Sequence, residues 1–182
     1  MTCENSEPRR VKKVCVVGNT ASGKSHLAAL IGEAFGLPVI HLDALYWKPD
    51  WSHVPREDFL ATQQDLIGQE RWVLDGCFSE FGLVDRFRAA EAVIFLDIPT
   101  WPCLRRAVGR RGDHSGDLPA DDRKLPVGLG LLFLIEIVLF KLLERPRILS
   151  AAKSSGTRFI RLHNWADENR ALSGLRDCES SA

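Results

Sequence analysis

One stretch constrains the chain more than any other: Val14-Cys15-Val16-Val17-Gly18-Asn19-Thr20-Ala21-Ser22-Gly23-Lys24-Ser25. Its apolar opening fits a buried strand, and His26-Leu27-Ala28-Ala29-Leu30-Ile31 continues with apolar positions at helical spacing. Between strand and helix, Gly18 and Gly23-Lys24-Ser25 fit the pattern G-x-x-x-x-G-K-[ST]. The order strand, glycine loop, helix is what a nucleoside triphosphate needs. Glycines let backbone N–H groups curl around phosphate oxygens, and the helix N-terminus adds positive partial charge. The expected cradle is Gly18, Asn19, Thr20, Ala21, Ser22, Gly23, Lys24, Ser25 and His26, with Lys24 reaching the β- and γ-phosphates and the Ser25 hydroxyl ligating Mg²⁺.

The rest of the chain alternates strand and helix. Helix is expected over 24–35, 55–68, 83–89, 99–111, 127–144 and 167–175, with a further piece to about Ser154 after a break at Arg145-Pro146. Strands are expected at 37–42, 71–75, 92–97 and 157–162, besides the first. This alternation implies parallel βαβ units and an α/β three-layer sandwich, whose ligands sit beyond the carboxyl ends of the strands. Gly18, Asp43, Asp75 and Asp97 all fall at such ends. Asp75, followed by Gly76, suits a Walker-B-like role beside Ser25 on the metal. Asp43 is placed either to take a proton from an attacking hydroxyl or to cap the following loop, and Asp97, before a proline turn, reads as structural.

Phosphoryl transfer is driven by positive charge around the phosphates. Arg106 and Arg110 lie four apart on one face of a basic helix, and the polar segment 112–124 after it reads as a lid. Arg86 and Arg88, near the exit of the third strand, suit an anionic acceptor. Tyr46, Trp47 and Trp51 form either a stacking platform or packing, His41 packs within its strand, and His163-Asn164 lies near where a purine would rest.

Lys plus Arg and Asp plus Glu are 24 each, so a globally basic nucleic-acid footprint is absent. The cysteines Cys3, Cys15, Cys77, Cys103 and Cys178 form no C-x-x-C pair, which speaks against zinc or a disulfide framework and for a reducing cytoplasm. Residues 1–13 read as a loose polar tail, 14–176 as the folded domain and 177–182 as a frayed end. The apolar segment Val127–Phe140 is too short to span a membrane and carries Glu136; it reads as a helix buried against the core or a partner, such as the second copy of a homodimer.

The phosphate loop, Leu37–Trp51, Trp72-Val-Leu-Asp-Gly76, and Val93–Pro99 with Arg105-Arg106 and Arg110-Arg111 after it resemble the FlaR-type DNA topology modulation proteins. These are small P-loop kinases akin to adenylate and shikimate kinases. The resemblance covers most of residues 14–165. It implies a nucleoside-monophosphate-kinase-like fold with a parallel five-stranded sheet, ATP with Mg²⁺ as donor, and a small acceptor: a nucleotide, a nucleoside or another hydroxyl compound. Arg106-Ala-Val-Gly-Arg110 is similar to the lid entry of adenylate kinases, which gives both arginines donor-phosphate roles. Where those enzymes carry Phe-Pro-Arg after the aspartate and glycine, Cys77-Phe78-Ser79 stand here, which leaves Arg86 to compensate at the acceptor. The alternative is a nucleotide-binding regulatory or nucleic-acid-associated protein with little turnover. A guanine-reading N-K-x-D motif is absent.

Overall fold

The computed structural model describes residues 11–109 and 127–180. β1 (Lys13–Gly18), β2 (Val39–His41), β3 (Trp72–Asp75), β4 (Ala92–Leu96) and β5 (Arg158–Leu162) form one sheet in the order β2-β3-β1-β4-β5, parallel throughout. β1 lies at the centre, and its side chains alternate in period two. Val14 and Val16 enter one core; Cys15 and Val17 enter the other. Both faces of the sheet are therefore covered, as a parallel sheet requires.

On the first face lie Leu27, Ala28 and Ile31 of α1 (Lys24–Phe35), Cys103 of α5 (Thr100–Gly109), and Ala171 and Leu175 of α8 (Glu168–Ser180). The second face is covered by Phe59 of α3 (Arg56–Gly68), Phe87 of α4 (Leu83–Ala89), and Ile148 and Ala151 of α7 (Glu144–Ser155). The expected α/β three-layer sandwich with a parallel five-stranded sheet is thus the observed fold.

Residues 11–13, read from the sequence as tail, belong to the described fold. Val11 is buried, and the Lys12 and Lys13 carbonyls accept hydrogen bonds from the Trp72 and Glu91 backbones. Residues 1–10 lie outside the described residues. Residues Leu42–Tyr46, expected to begin as strand and continue irregularly, form the short helix α2, so Asp43 stands in a helical first turn just beyond β2. The expected break at Arg145-Pro146 falls earlier. α6 (Val127–Leu139) ends before a turn, and Pro146 sits in the first turn of α7, where its missing N–H costs nothing.

α6 is buried against the core along one side only. Ile137 of α6 and Phe140 of the following turn are buried, each in a different core, whereas Leu131, Leu132, Ile135 and Val138 of α6 and Leu142 of the turn are exposed. Among the described residues no helix is long and apolar enough to cross a membrane.

Asp97 ties three elements together, in agreement with its structural reading. Its buried carboxylate accepts hydrogen bonds from Arg145 Nε at 3.1 Å and Arg161 Nε at 2.7 Å, joining the end of β4 to α7 and β5. Burial pushes the carboxyl up, but the hydrogen bonds from Arg145 and Arg161 outweigh it and hold it below its ordinary range. A depressed carboxylate stabilises the fold above its unfolded pKa of about 3.9 and loses that contribution as pH falls through the lower folded value. Asp97→Asn is expected to cost about 2 kcal/mol at pH 7. Urea titrations should show the gap to wild type closing below about pH 4; a gap unchanged at pH 3 contradicts the assignment.

Candidate active site

The phosphate loop runs from the end of β1 into α1 with the geometry its glycines permit. At Gly23, the residue that caps α1, φ is +93°. A Cβ there would stand 3.3 Å from Arg106 Nη1 and 3.4 Å from Trp165 Nε1. The Ser22 N–H donates to the Asn19 carbonyl at 3.1 Å, and the loop turns there. Ser22 Oγ is buried with no partner among the described residues. The Asn19 side chain is buried and donates to the Ile137 carbonyl at 3.0 Å. The loop is thereby tied to α6, which crosses the carboxyl end of the sheet.

Parallel register places Asp75 beside Val16 of β1 and His41 of β2. Its carboxylate is buried; Oδ2 lies 2.8 Å from His41 Nδ1, and Oδ1 has no hydrogen-bond partner among the described residues. The next residue, Gly76, has φ +141°, and a Cβ on it would come within 2.8 Å of Leu42 Cβ. That close approach sets Asp43, which follows Leu42, against the same crevice as Asp75. His41 therefore does more than pack in its strand: it orients the strand-end carboxylate. Removing it with His41→Ala is expected to lower turnover of the phosphoryl transfer anticipated from the sequence about 10-fold or more by freeing the Asp75 carboxylate, with only a modest change in melting temperature. On the expectation that Asp75 shares a metal with Ser25, titrating turnover against Mg²⁺ checks this: the half-saturating concentration should rise, and an unchanged Mg²⁺ requirement speaks against the role.

The arginines divide. Arg106 stacks its guanidinium 4.4 Å from the centre of the Trp165 ring, beside Gly23, and Trp165 Nε1 donates to the Ser22 carbonyl at 2.6 Å. A cleft of about 680 Å³ opens here, lined by Gly23, His26, Trp101, Arg105, Arg106 and Trp165. His26 lies 3.8 Å from Glu168 on the rim. Trp165 was not singled out in the sequence, although the neighbouring His163-Asn164 was. Arg110 and the segment 112–124 lie outside the described residues.

Arg86 stands elsewhere than expected. It is buried, and its guanidinium donates to the carbonyls of Gly76, Cys77 and Phe78, so it braces the turn after β3 and does not open onto an acceptor. Arg88 is exposed.

The aromatic stretch also divides. Tyr46 packs among Phe59, Phe78 and Phe81, with ring centres 5.0–5.7 Å away. Trp47 meets Phe133 of α6 edge-on at 6.1 Å and Trp51 at 6.2 Å. One helical turn beyond Phe133 stands Glu136, which the sequence reading used only as an argument against a membrane span. Desolvation raises its carboxyl, Glu144 and Asp43 add repulsion, and Lys24 acts in the opposite direction. Glu144, at the start of α7, accepts a hydrogen bond from Cys77 Sγ at 3.5 Å. Lys24 at the start of α1, Asp43 in α2 just beyond β2 and Asp75 at the end of β3 thus all stand at the carboxyl edge of the sheet, with His41 against Asp75.

Neither a family model nor a curated protein matches the chain. Solved structures do. A gluconokinase from Sinorhizobium meliloti 1021 superposes with a TM-score of 0.57 at 18% identity, covering 94% of each chain. The shikimate kinase of Aquifex aeolicus VF5 gives 0.56 at 16% identity, covering 93% of this chain and 99% of that one. The shikimate kinase from Acinetobacter baumannii, in complex with shikimate, gives 0.59 at 17% identity, covering 93% and 94%. At such identities the likeness establishes a shared fold, that of P-loop kinases.

Proposed function

We propose that the chain is a kinase that moves the γ-phosphoryl group of ATP to a hydroxyl of a small acceptor. What supports this reading is the Gly18–Ser25 loop leading from β1 into α1, with Asp75 at the end of the neighbouring β3 and Asp43 just beyond β2 at the same edge of the sheet. The shared fold with a gluconokinase and with shikimate kinases supports a hydroxyl acceptor. The narrower affinity with the FlaR-type group rests on the Leu37–Trp51 stretch.

The residues present fit Mg²⁺. Asp75 Oδ1 is buried and without a hydrogen-bond partner among the described residues, and Ser25 supplies the hydroxyl at the start of α1. Ser25 and Asp75 would hold the ion, with phosphate oxygens and water completing its shell. When bound, the metal neutralises charge on the β- and γ-phosphates. Backbone N–H groups of 18–25 and the Lys24 ammonium bind the phosphates, and Arg106 adds charge over Gly23. As the acceptor oxygen bonds to the γ-phosphorus, the bridging bond to the β-phosphate breaks, ADP leaves and Asp43 takes the hydroxyl proton. The cleft flanked by Trp165 and Arg106 suits the nucleobase.

Acceptor-dependent ADP release from Mg²⁺-ATP, followed across a broad hydroxyl-metabolite panel, tests the reading. Absence of both ATP binding and ADP release would overturn it. AMP belongs in the panel as the adenylate-kinase variant, which loses support because Arg86 is committed to backbone carbonyls. The exposed apolar side chains of α6 support a homodimer as well. Sedimentation equilibrium showing a monomer at micromolar concentration would exclude it.

A further inference from the structure

We infer that Arg106 and the base of the donor compete for one face of the Trp165 ring, so that base binding releases this arginine to the phosphates. This rests on the kinase reading and gives its donor cleft a switch that favours nucleotides over nucleosides.

Three contacts place the switch. Trp165 begins a short turn, Trp165–Asp167, soon after β5. Its indole is held at one edge, where Nε1 donates to the Ser22 carbonyl of the phosphate loop at 2.6 Å. That bond uses the one polar group of the side chain and fixes the ring beside the loop, so what the ring offers a ligand is its π-face. Arg106 of α5 lies over that face, its guanidinium carbon 4.4 Å from the ring centre. A stacked base would sit about 3.5 Å above the ring. Guanidinium and base therefore exclude one another there. The arginine is also already at the loop: a Cβ on Gly23 would stand 3.3 Å from its Nη1. The path from the ring to a phosphate chain bound along the loop is thus short.

The cleft beside this pair has room for a base. Its volume is about 680 Å³, and Trp101, 71% exposed, presents a second indole to it. Magnitudes decide which group keeps the ring. A partly exposed guanidinium–indole stack shifts an equilibrium only about 2- to 5-fold. Stacking of a base on an aromatic side chain is worth about 5-fold or more. The base therefore displaces the guanidinium, and the displaced guanidinium gains more from a phosphate oxygen, through a charge-assisted hydrogen bond, than it lost at the ring. A nucleotide satisfies both groups at once. A nucleoside takes the ring and leaves Arg106 without its stacking partner, so it binds against the switch.

Calorimetric titration tests this with two probes, adenosine and a non-hydrolysable ATP analogue with Mg²⁺, on wild type, Arg106→Ala and Trp165→Leu. The signature is a change of opposite sign. Arg106→Ala should bind adenosine about 2- to 5-fold more tightly, because the ring is then free. The same variant should bind the analogue about 3- to 30-fold more weakly, because the lost phosphate bond outweighs the freed ring. Trp165→Leu should weaken adenosine at least about 5-fold. Arg106 lies outside both apolar cores, so its variant decides the matter even where Trp165→Leu does not fold. Adenosine bound more weakly or equally by Arg106→Ala overturns the switch, since the guanidinium would then cover the base instead of yielding to it. So does an analogue affinity unmoved by Arg106→Ala, or an adenosine affinity unmoved by a folded Trp165→Leu. Adenosine that binds neither wild type nor Arg106→Ala, although the analogue binds, overturns it too. Failure of the analogue to bind wild type defeats the kinase reading instead.

Discussion

Replacing Lys24 by Met is expected to lower acceptor-dependent ADP formation by about 10²–10³-fold, the usual effect of deleting one preorganised charge at a transferring group. Lys24 is the first residue of α1, immediately after Gly23, so its ammonium adds to the positive end of the helix where the phosphates are to lie. Phosphoryl transfer asks little covalent chemistry of a protein, and that charge is a large part of what the loop contributes. Lys24 lies outside both apolar cores, and Met keeps most of the length of its stem. The melting temperature should therefore move by only a few degrees. Lys24→Arg should rescue poorly, because a planar guanidinium does not replace a compact ammonium within a tight loop. The measurement is kcat/KM on any acceptor found active, alongside calorimetric unfolding. A variant keeping more than about a tenth of wild-type turnover would show that the loop binds without catalysing.

What the sequence made legible, and what it hid, follows from the range of the interactions. The phosphate loop was legible because its pattern, its strand and its helix are contiguous. The α/β sandwich was legible because β1 alternates Val14, Cys15, Val16 and Val17 between two cores while the helices carry apolar faces of period 3.6. The pairing of His41 with Asp75 was hidden, since it depends on β2 lying beside β3 in the sheet order β2-β3-β1-β4-β5. The crossing of α6 over the strand ends was hidden as well, since it is fixed by a contact between Asn19 and Ile137, more than a hundred residues apart in sequence. The boundary between α6 and α7 was misplaced because a proline reads equally as a helix breaker and as a first-turn residue, and only the turn before Glu144 decides between them.

Arg86 gives the strongest contrast between the two readings. Arg86→Met is expected to cost about 3–5 kcal/mol, the scale of leaving several buried carbonyls without their donor. In the folded chain its guanidinium donates to the carbonyls of Gly76, Cys77 and Phe78 and is shut off from solvent. Burial pulls its pKa down, yet a guanidinium stays protonated under any folding condition. Methionine preserves much of the apolar volume, so the loss falls on the carbonyls, which are left without their donor in a dry setting. It also falls on the turn itself, where Gly76 holds φ +141° against Leu42. For a chain of this size such a loss corresponds to a drop of roughly 10 °C in Tm. Lys at this position retains charge without the planar fork and should recover only part of the stability. Because the braced turn directly follows Asp75, turnover should fall together with stability, and the KM for any one acceptor should not be singled out. The opposite pattern, an unchanged Tm with a KM raised for anionic acceptors alone, would return Arg86 to the acceptor-holding role that the resemblance to adenylate kinases implies.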